Sequence, residues 1–307
     1  MSIQVRCNAK VNLFLRVFGK REDGFHDIIS LMQSVCLTDI LCIEETGSGK
    51  IEIECNKPEV PTDERNLVWR ATAMLAEEAG RKIDGIKIRI EKNIPMMGGL
   101  AGGSSNAAGV LAGLKHLWDI GLEDRKLVEI ASKIGSDVPF CLVGGTCLVN
   151  GSGEIVQPIP GQISTVYPGG AFLLVFPRIS VNTSEAYGLI DKSREASVAE
   201  TVELSELFLT IQETWVNAVV SGGFPFLFMN DFESPVFGAY PELKAVHDNV
   251  RNFAGHALMS GSGSTIFAWY DSMALALAAA DNYRPVAGET WITAYPASSG
   301  IEIDTIC

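Results

Sequence analysis

Between residues 3 and 17 every odd position is apolar or small: Ile3, Val5, Cys7, Ala9, Val11, Leu13, Leu15 and Val17. Gln4, Arg6, Asn8, Lys10, Asn12 and Arg16 stand among the positions between them. A two-residue period sends successive side chains to opposite faces, so it predicts a strand with one buried face. Lys10 and Asn12 then share the other face, which on pattern alone is a solvated one. The charged turn Lys20-Arg21-Glu22-Asp23-Gly24 follows, with Asp-Gly as a hairpin signal. Residues 28–43 are strand-like and apolar, and 51–54 alternate as another strand after Gly47-Ser48-Gly49-Lys50, which reads as a hairpin turn. At Asn66 the period becomes helical: Leu67, Val68, Ala71, Met74 and Leu75 form one face, and Gly80 ends it.

The next three segments belong together. Ile86, Ile88 and Ile90 alternate with Lys87, Arg89 and Glu91 as a half-buried strand. The stretch Pro95-Met96-Met97-Gly98-Gly99-Leu100-Ala101-Gly102-Gly103-Ser104-Ser105-Asn106 follows. Val110, Leu111, Leu114, Leu117 and Trp118 then fall at helical spacing, with Gly109 and Gly113 allowing close packing. Farther on, residues 127–134 form a short helix stopped by Gly135. Ser136-Asp137-Val138-Pro139 is expected to leave it extended, because the residue before proline avoids the helical region. Asp137 by itself reads as a turn residue or cap. Gly144-Gly145 and residues 150–153 are turns flanking strands 146–149 and 155–156.

Composition shifts at Pro158-Ile159-Pro160-Gly161, which sets the expected domains at 1–160 and 161–307. The second half reads as a strand at 171–176, a mostly helical region at 201–220 and a helix at 241–253. A glycine turn at 258–267 leads into a strand, followed by a helix at 273–280 and a last strand at 291–294. Helices mixed with a small sheet make the fold class α+β.

Strand, glycine-rich loop and helix suggest chemistry. Glycines let backbone approach a ligand closely, Ser104, Ser105 or Asn106 can cap the helix, and its N-terminus favours an anion. The reading is a phosphate cradle, although such a loop can also be a plain structural turn. No Lys follows Gly103, so it is not a P-loop of the usual kind. Gly47-Ser48-Gly49-Lys50 is not one either, because Glu44 and Ile51 occupy positions that need Gly and Ser or Thr.

Composition narrows the partners. With 47% hydrophobic and 20% charged residues, the 307-residue chain is expected to be globular with a sizeable core. A net charge of −13 excludes a general nucleic-acid surface but not a small anionic substrate. The seven cysteines are scattered without a C-x-x-C, as reduced core thiols are. We expect no signal peptide, no membrane span, a cytoplasmic location and, from four unpatterned histidines, no structural metal.

Three separated segments, Lys10-Val11-Asn12-Leu13, residues 95–108 and residues 258–267, resemble the three motifs of the GHMP kinases. Asp23-Gly24-Phe25-His26, Asn66-Leu67-Val68 and Gly135-Ser136-Asp137-Val138-Pro139 are similar to a branch acting on a cytidine diphosphate-linked methylerythritol. The resemblance implies a two-domain fold, with a ribosomal-protein-S5-like N-terminal domain that binds ATP and a ferredoxin-like C-terminal domain on the substrate side. It also implies ATP-dependent phosphorylation of a 2-hydroxyl in non-mevalonate isoprenoid synthesis, with Mg²⁺ held chiefly by phosphates and water. Asp137 matches the catalytic base and Lys10 its charge partner.

Residues 95–105, from Pro95 through Ser105, match the ATP phosphate loop, and Asn66 an adenine neighbour. Asn12, Phe25, His26 and Tyr187 match the substrate pocket, His26 bonding the base and Tyr187 stacking on it. By this resemblance Met97 and Ala101 stand where Gly is usual in the loop, so loop geometry, ATP affinity or rate is expected to differ, and Phe25 stands where Tyr is usual, which removes a hydroxyl but keeps the ring. The resemblance implies a monomer or homodimer acting on a small molecule, with no nucleic acid or membrane as partner. Another small-molecule GHMP kinase, of homoserine or mevalonate type, and an inactive nucleotide-binding protein on the same fold are the alternatives.

Overall fold

The structure, a computed structural model, describes residues 2–195, 204–221 and 229–306. It opens with two long antiparallel strands, β1 (Ser2–Lys20) and β2 (His26–Glu45), joined by the charged turn. Next come β3 (Ile51–Cys55), α1 (Leu67–Glu78), β4 (Ile86–Glu91) and α2 (Gly102–Leu117). Then follow α3 (Asp124–Ile134), α4 (Val138–Val143), β5 (Thr146–Asn150) and β6 (Ile155–Pro158).

The second half contains α5 (Ile163–Val166), β7 (Ala171–Phe176), α6 (Thr183–Glu195), α7 (Leu204–Ser221), β8 (Met229–Asn230) and α8 (Glu233–Ala239). It ends with α9 (Pro241–Ala254), β9 (Leu258–Met259), β10 (Ile266–Tyr270), α10 (Met273–Asn282), β11 (Thr290–Ala294) and β12 (Ile301–Ile306). Of the helical region expected at 201–220, residues 201–203 lie outside the described residues.

Among the described residues two sheets form. The larger runs β12-β1-β2-β4-β3, with β5 and β6 continuing from β2 and β8 beside β1; the smaller runs β11-β7-β10-β9. β1 threads three apolar clusters. Ile3, Val5 and Cys7 pack with α1, α2 and β4, whereas Ala9, Val11 and Leu13 meet Phe172, Leu174 and Phe267 of the smaller sheet. Leu15 and Val17 join Val236, Leu243 and Val246. Gly109 and Gly113 bring α2 onto β1: a Cβ on Gly109 would lie 2.3 Å from Cys7 Sγ, and one on Gly113 3.0 Å from Val5.

Five expectations are corrected. β1 does not have one buried face; Asn8, Lys10 and Asn12 are buried too, because the centre of the strand is covered on both sides. The Gly47–Lys50 stretch is not a hairpin turn, since β4 inserts between β2 and β3 and pairs with both. Residues 136–139 are not extended: α4 begins at Val138, and Pro139 sits in its first turn, where a missing N–H costs nothing. Ser104, Ser105 and Asn106 do not cap α2, which begins at Gly102 with Ala101 as its N-cap residue. The strand at 290–294 is not the last, because β12 returns to pair with β1.

Candidate active site

Lys10 and Asn12 lie between two irregularities of the β1–β2 ladder, at Asn8/Ala9 and Asn12/Phe14. Such bulges re-aim side chains and bend strands. Lys10 Nζ donates to Asn12 Oδ1 at 2.6 Å, Asn12 Nδ2 to Ser30 Oγ at 2.8 Å, and Ser30 Oγ to the Phe14 carbonyl at 2.7 Å. The ammonium is thereby held by a satisfied chain of side chains, as a buried charge requires.

Across from it, Asp137 Oδ2 lies 3.9 Å from Lys10 Nζ. Asp137 occupies the N-cap position of α4 without making a side-chain cap bond. Its carboxylate is one-third exposed, against 4% for the lysine side chain. The helix is pinned from behind by the segment leading into β12. A Cβ on Gly300 would lie 1.8 Å from the Cys141 carbonyl, and the Asn8 N–H donates to the Gly300 carbonyl at 2.9 Å. Sequence reasoning missed this strap along with β12.

The glycine-rich loop crosses above the pair. The Lys10 N–H donates to the Leu100 carbonyl at 3.2 Å, the Thr265 N–H to Gly98 at 3.1 Å, and Ser260 Oγ to Gly99 at 2.9 Å. A Cβ on Gly99 would lie 2.1 Å from the Ser260 carbonyl, so this glycine lets the loop seat on the β9–β10 turn. By contrast, a Cβ on Gly103 would meet nothing within 4 Å. The first N–H groups of α2 have no intrahelical partners. An open, N–H-rich helix start above a buried ammonium fits a polyphosphate.

Met97 and Ala101 both adopt left-handed backbone, with φ of 55° and 57°. That conformation costs an L-residue ~1–2 kcal/mol. Ala101→Gly should therefore raise stability by about 0.5–1 kcal/mol, after allowance for the extra freedom glycine gives the unfolded chain. A urea midpoint that stays put or falls would show that the loop carries no such strain.

Two further charged groups were missed. Asp39 of β2 is fully buried and pairs with Lys92, just past β4. It also accepts from Asn106 Nδ2 at 2.8 Å and from the N–H groups of Asn93 and Ile94 at 2.7 and 2.8 Å. Both ends of the glycine-rich loop thus hang on one carboxylate. The signal was available: Asp39 follows Val35 and Leu37 on an apolar face, and Lys92 follows Ile86, Ile88 and Ile90 on another.

Lys10, Asp137 and Lys92 border a cavity of about 920 Å³. Lys10, Asn12, Phe25, His26, Asn66, Asp137, Tyr187 and residues 95–104 all line it, whereas Ser105 does not. Ser105 is buried and its Oγ donates to the Asn8 carbonyl at 2.8 Å. Asn66 is the N-cap of α1: its Oδ1 accepts from the Val68 N–H at 3.0 Å and its Nδ2 donates to the Pro61 carbonyl at 2.7 Å. At the far end the His26 and Tyr187 rings stack, 4.8 Å between centroids and 19° between planes. His26 Nε2 lies 2.8 Å from Asp191 Oδ1. Burial, and after it the Asp137 carboxylate, push the Tyr187 phenol up to about 12, so it stays neutral. Phe25 stands exposed beside this stack.

Residues 66–145 match the GHMP kinases N terminal domain, and residues 217–284 the GHMP kinases C terminal domain. The chain is 39% identical over 274 residues to the 4-diphosphocytidyl-2-C-methyl-D-erythritol kinase of Alkaliphilus oremlandii (strain OhILAs), covering 88% of each chain. It belongs to that family of GHMP kinases. A crystal structure of a 4-(cytidine 5'-diphospho)-2C-methyl-D-erythritol kinase superposes with a TM-score of 0.72 at 31% identity, over 95% of this chain and 98% of that one. The homoserine kinase of Cytophaga hutchinsonii gives 0.71 at 19% identity, over 99% and 97%, which shows the shared fold.

As a member of the GHMP kinases, the chain has their two-domain fold and is a small-molecule kinase. Among the described residues no helix is long and apolar enough to cross a membrane.

Proposed function

We propose that the chain uses ATP, with Mg²⁺, to phosphorylate the 2-hydroxyl of 4-diphosphocytidyl-2-C-methyl-D-erythritol. The observation that carries the reading is the Lys10–Asp137 pair, 3.9 Å apart, in one cavity with an open glycine-rich loop and a stacked His26–Tyr187 pair. Bound ATP and Mg²⁺ supply the phosphoryl group and part of the charge neutralisation. Asp137 accepts the proton of the attacking hydroxyl, and Lys10 stabilises negative charge developing beside it. Asn12, fixed through Ser30, orients substrate next to Lys10. The α2 N-terminus and the Ser104 hydroxyl bind phosphate oxygens, and Asn66 borders the adenine end.

The cytidine end rests on geometry. A base bonded to the edge of His26 lies near the plane of the imidazole. Tyr187, 19° from that plane, is then nearly parallel to the base and can stack on it. Phe25 offers a second ring without a hydroxyl. In this reading residues 1–160 carry the nucleotide and the catalytic pair, and residues 161–307 contribute Tyr187 from the substrate side.

The test is ADP release, measured by coupled assay with Mg²⁺, offering the cytidylyl alcohol beside homoserine and mevalonate. Turnover with the cytidylyl alcohol alone is the expected result. Turnover with only one of the other alcohols would leave the Lys10–Asp137 chemistry standing and remove the cytidine pocket.

A further inference from the structure

His26 is buried, yet its two ring nitrogens have different surroundings. Nε2 faces Asp191 Oδ1 at 2.8 Å. Among the described residues Nδ1 has no hydrogen-bond partner, and the residue lines the cavity. A carboxylate can only accept, so it holds the proton of a neutral imidazole on Nε2 and leaves Nδ1 as an acceptor. We infer that Asp191 sets the tautomer of His26 and so makes the pocket select a pyrimidine with an exocyclic amino group over one with a carbonyl there. The inference rests on the proposed cytidine pocket and deepens it.

The placement of Asp191 is built into α6. Tyr187 and Asp191 are four residues apart and share one helix face, so the helix that sets the stacking ring also sets the carboxylate. The end of α6 is tied to the first strand by Arg194. Its guanidinium donates to the Phe18 carbonyl at 3.0 Å, to the Val17 carbonyl, and to Asp231 Oδ2 at 3.2 Å. Asp231 in turn accepts from the Val17 N–H at 2.9 Å. Tyr187 stacks on one face of His26, and both ring nitrogens bond in the plane of the ring, along its edges. An amino group meeting Nδ1 donates to it; a carbonyl oxygen there opposes two lone pairs and leaves a buried acceptor unpaired.

The experiment compares the full chain with Asp191→Asn, at about pH 8, where an ordinary imidazole is neutral. Both receive the cytidine diphosphate-linked alcohol and its uridine counterpart. The parent should favour the cytidylyl substrate by about 100-fold or more in kcat/KM. The amide that Asp191→Asn introduces can donate to Nε2 and move the proton to Nδ1, so the variant should lose at least about tenfold of that preference with KM for ATP unchanged. An equal loss with both substrates would make Asp191 merely structural and overturn the inference.

A parent that ignores the cytidylyl substrate would remove the pocket and the inference with it. A second measurement needs neither substrate nor a folded variant: long-range ¹H–¹⁵N NMR on the parent should show His26 protonated at Nε2. A proton on Nδ1 would overturn the inference even if the pocket stands.

Discussion

Asp137→Asn is expected to lower kcat by about 10²–10⁴-fold, the range of a lost general base, while ATP still binds. Asn keeps the size of the side chain but cannot take the proton of an attacking hydroxyl. The loop that receives the nucleotide is built from other contacts: Leu100 on β1, Gly98 and Gly99 on the β9–β10 turn. None of these passes through Asp137. The variant does leave Lys10, buried and bonded to Asn12, without the carboxylate 3.9 Å away, so some stability is lost as well. Measuring the thermal midpoint and the Kd for ATP beside kcat separates the two effects.

Lys10→Gln should also slow turnover, and the double variant should be little worse than the poorer single one, because the two groups act as a unit. A kcat for Asp137→Asn within about threefold of the parent would remove Asp137 from the chemistry.

The elements that the sequence makes legible are those whose signal is local. β1, α1, α2 and the turn at Asp23-Gly24 follow from periodicity and turn chemistry in short windows. The misread segments depend on distant partners. Gly47–Lys50 has the composition of a hairpin turn, and only the arrival of β4, thirty-odd residues later, makes it a connection over another strand. β12 pairs with the first residues of the chain, and no pattern within residues 301–306 announces that register. The site shows the same division. Met97 and Ala101 stand among the glycines of the loop, and only the structure shows that both take the left-handed backbone that glycine favours. That Lys10 and Asp137 meet was implied by resemblance alone, since the bulges around Lys10 and the strap at Gly300 that bring them together are tertiary features. Asp39 and Lys92 lay in view as charges on apolar faces, but the two faces became one site only through the β2–β4 pairing.

That buried pair gives the largest stability effect expected. Asp39→Asn should cost about 3–5 kcal/mol, because it leaves the Lys92 ammonium buried against an amide. An amide oxygen can still accept from the Asn93 and Ile94 N–H groups, but its NH₂ then faces two donors, Lys92 and Asn106. Lys92→Met should cost less. It keeps an apolar stem, and the carboxylate retains three N–H donors. The double variant Asp39→Asn/Lys92→Met should accordingly be more stable than Asp39→Asn alone, since the stranded charge is gone. Urea midpoints of the three variants test this order, and simple additivity of the two single changes would refute the coupling.

The same variants report on function, because Asp39 holds residues 92–94 before the glycine-rich loop and Asn106 after it. Lys92 Nζ lies 2.6 Å from where a Cβ on Gly102 would stand, so the pair also fixes the start of α2. Loosening that junction misaligns the N–H groups that receive phosphate. In Asp39→Asn the KM for ATP should rise by about tenfold, ~1.4 kcal/mol, with that for the alcohol substrate nearly unchanged. An unchanged KM for ATP in a destabilised variant would mean that the carboxylate holds the fold together without shaping the loop.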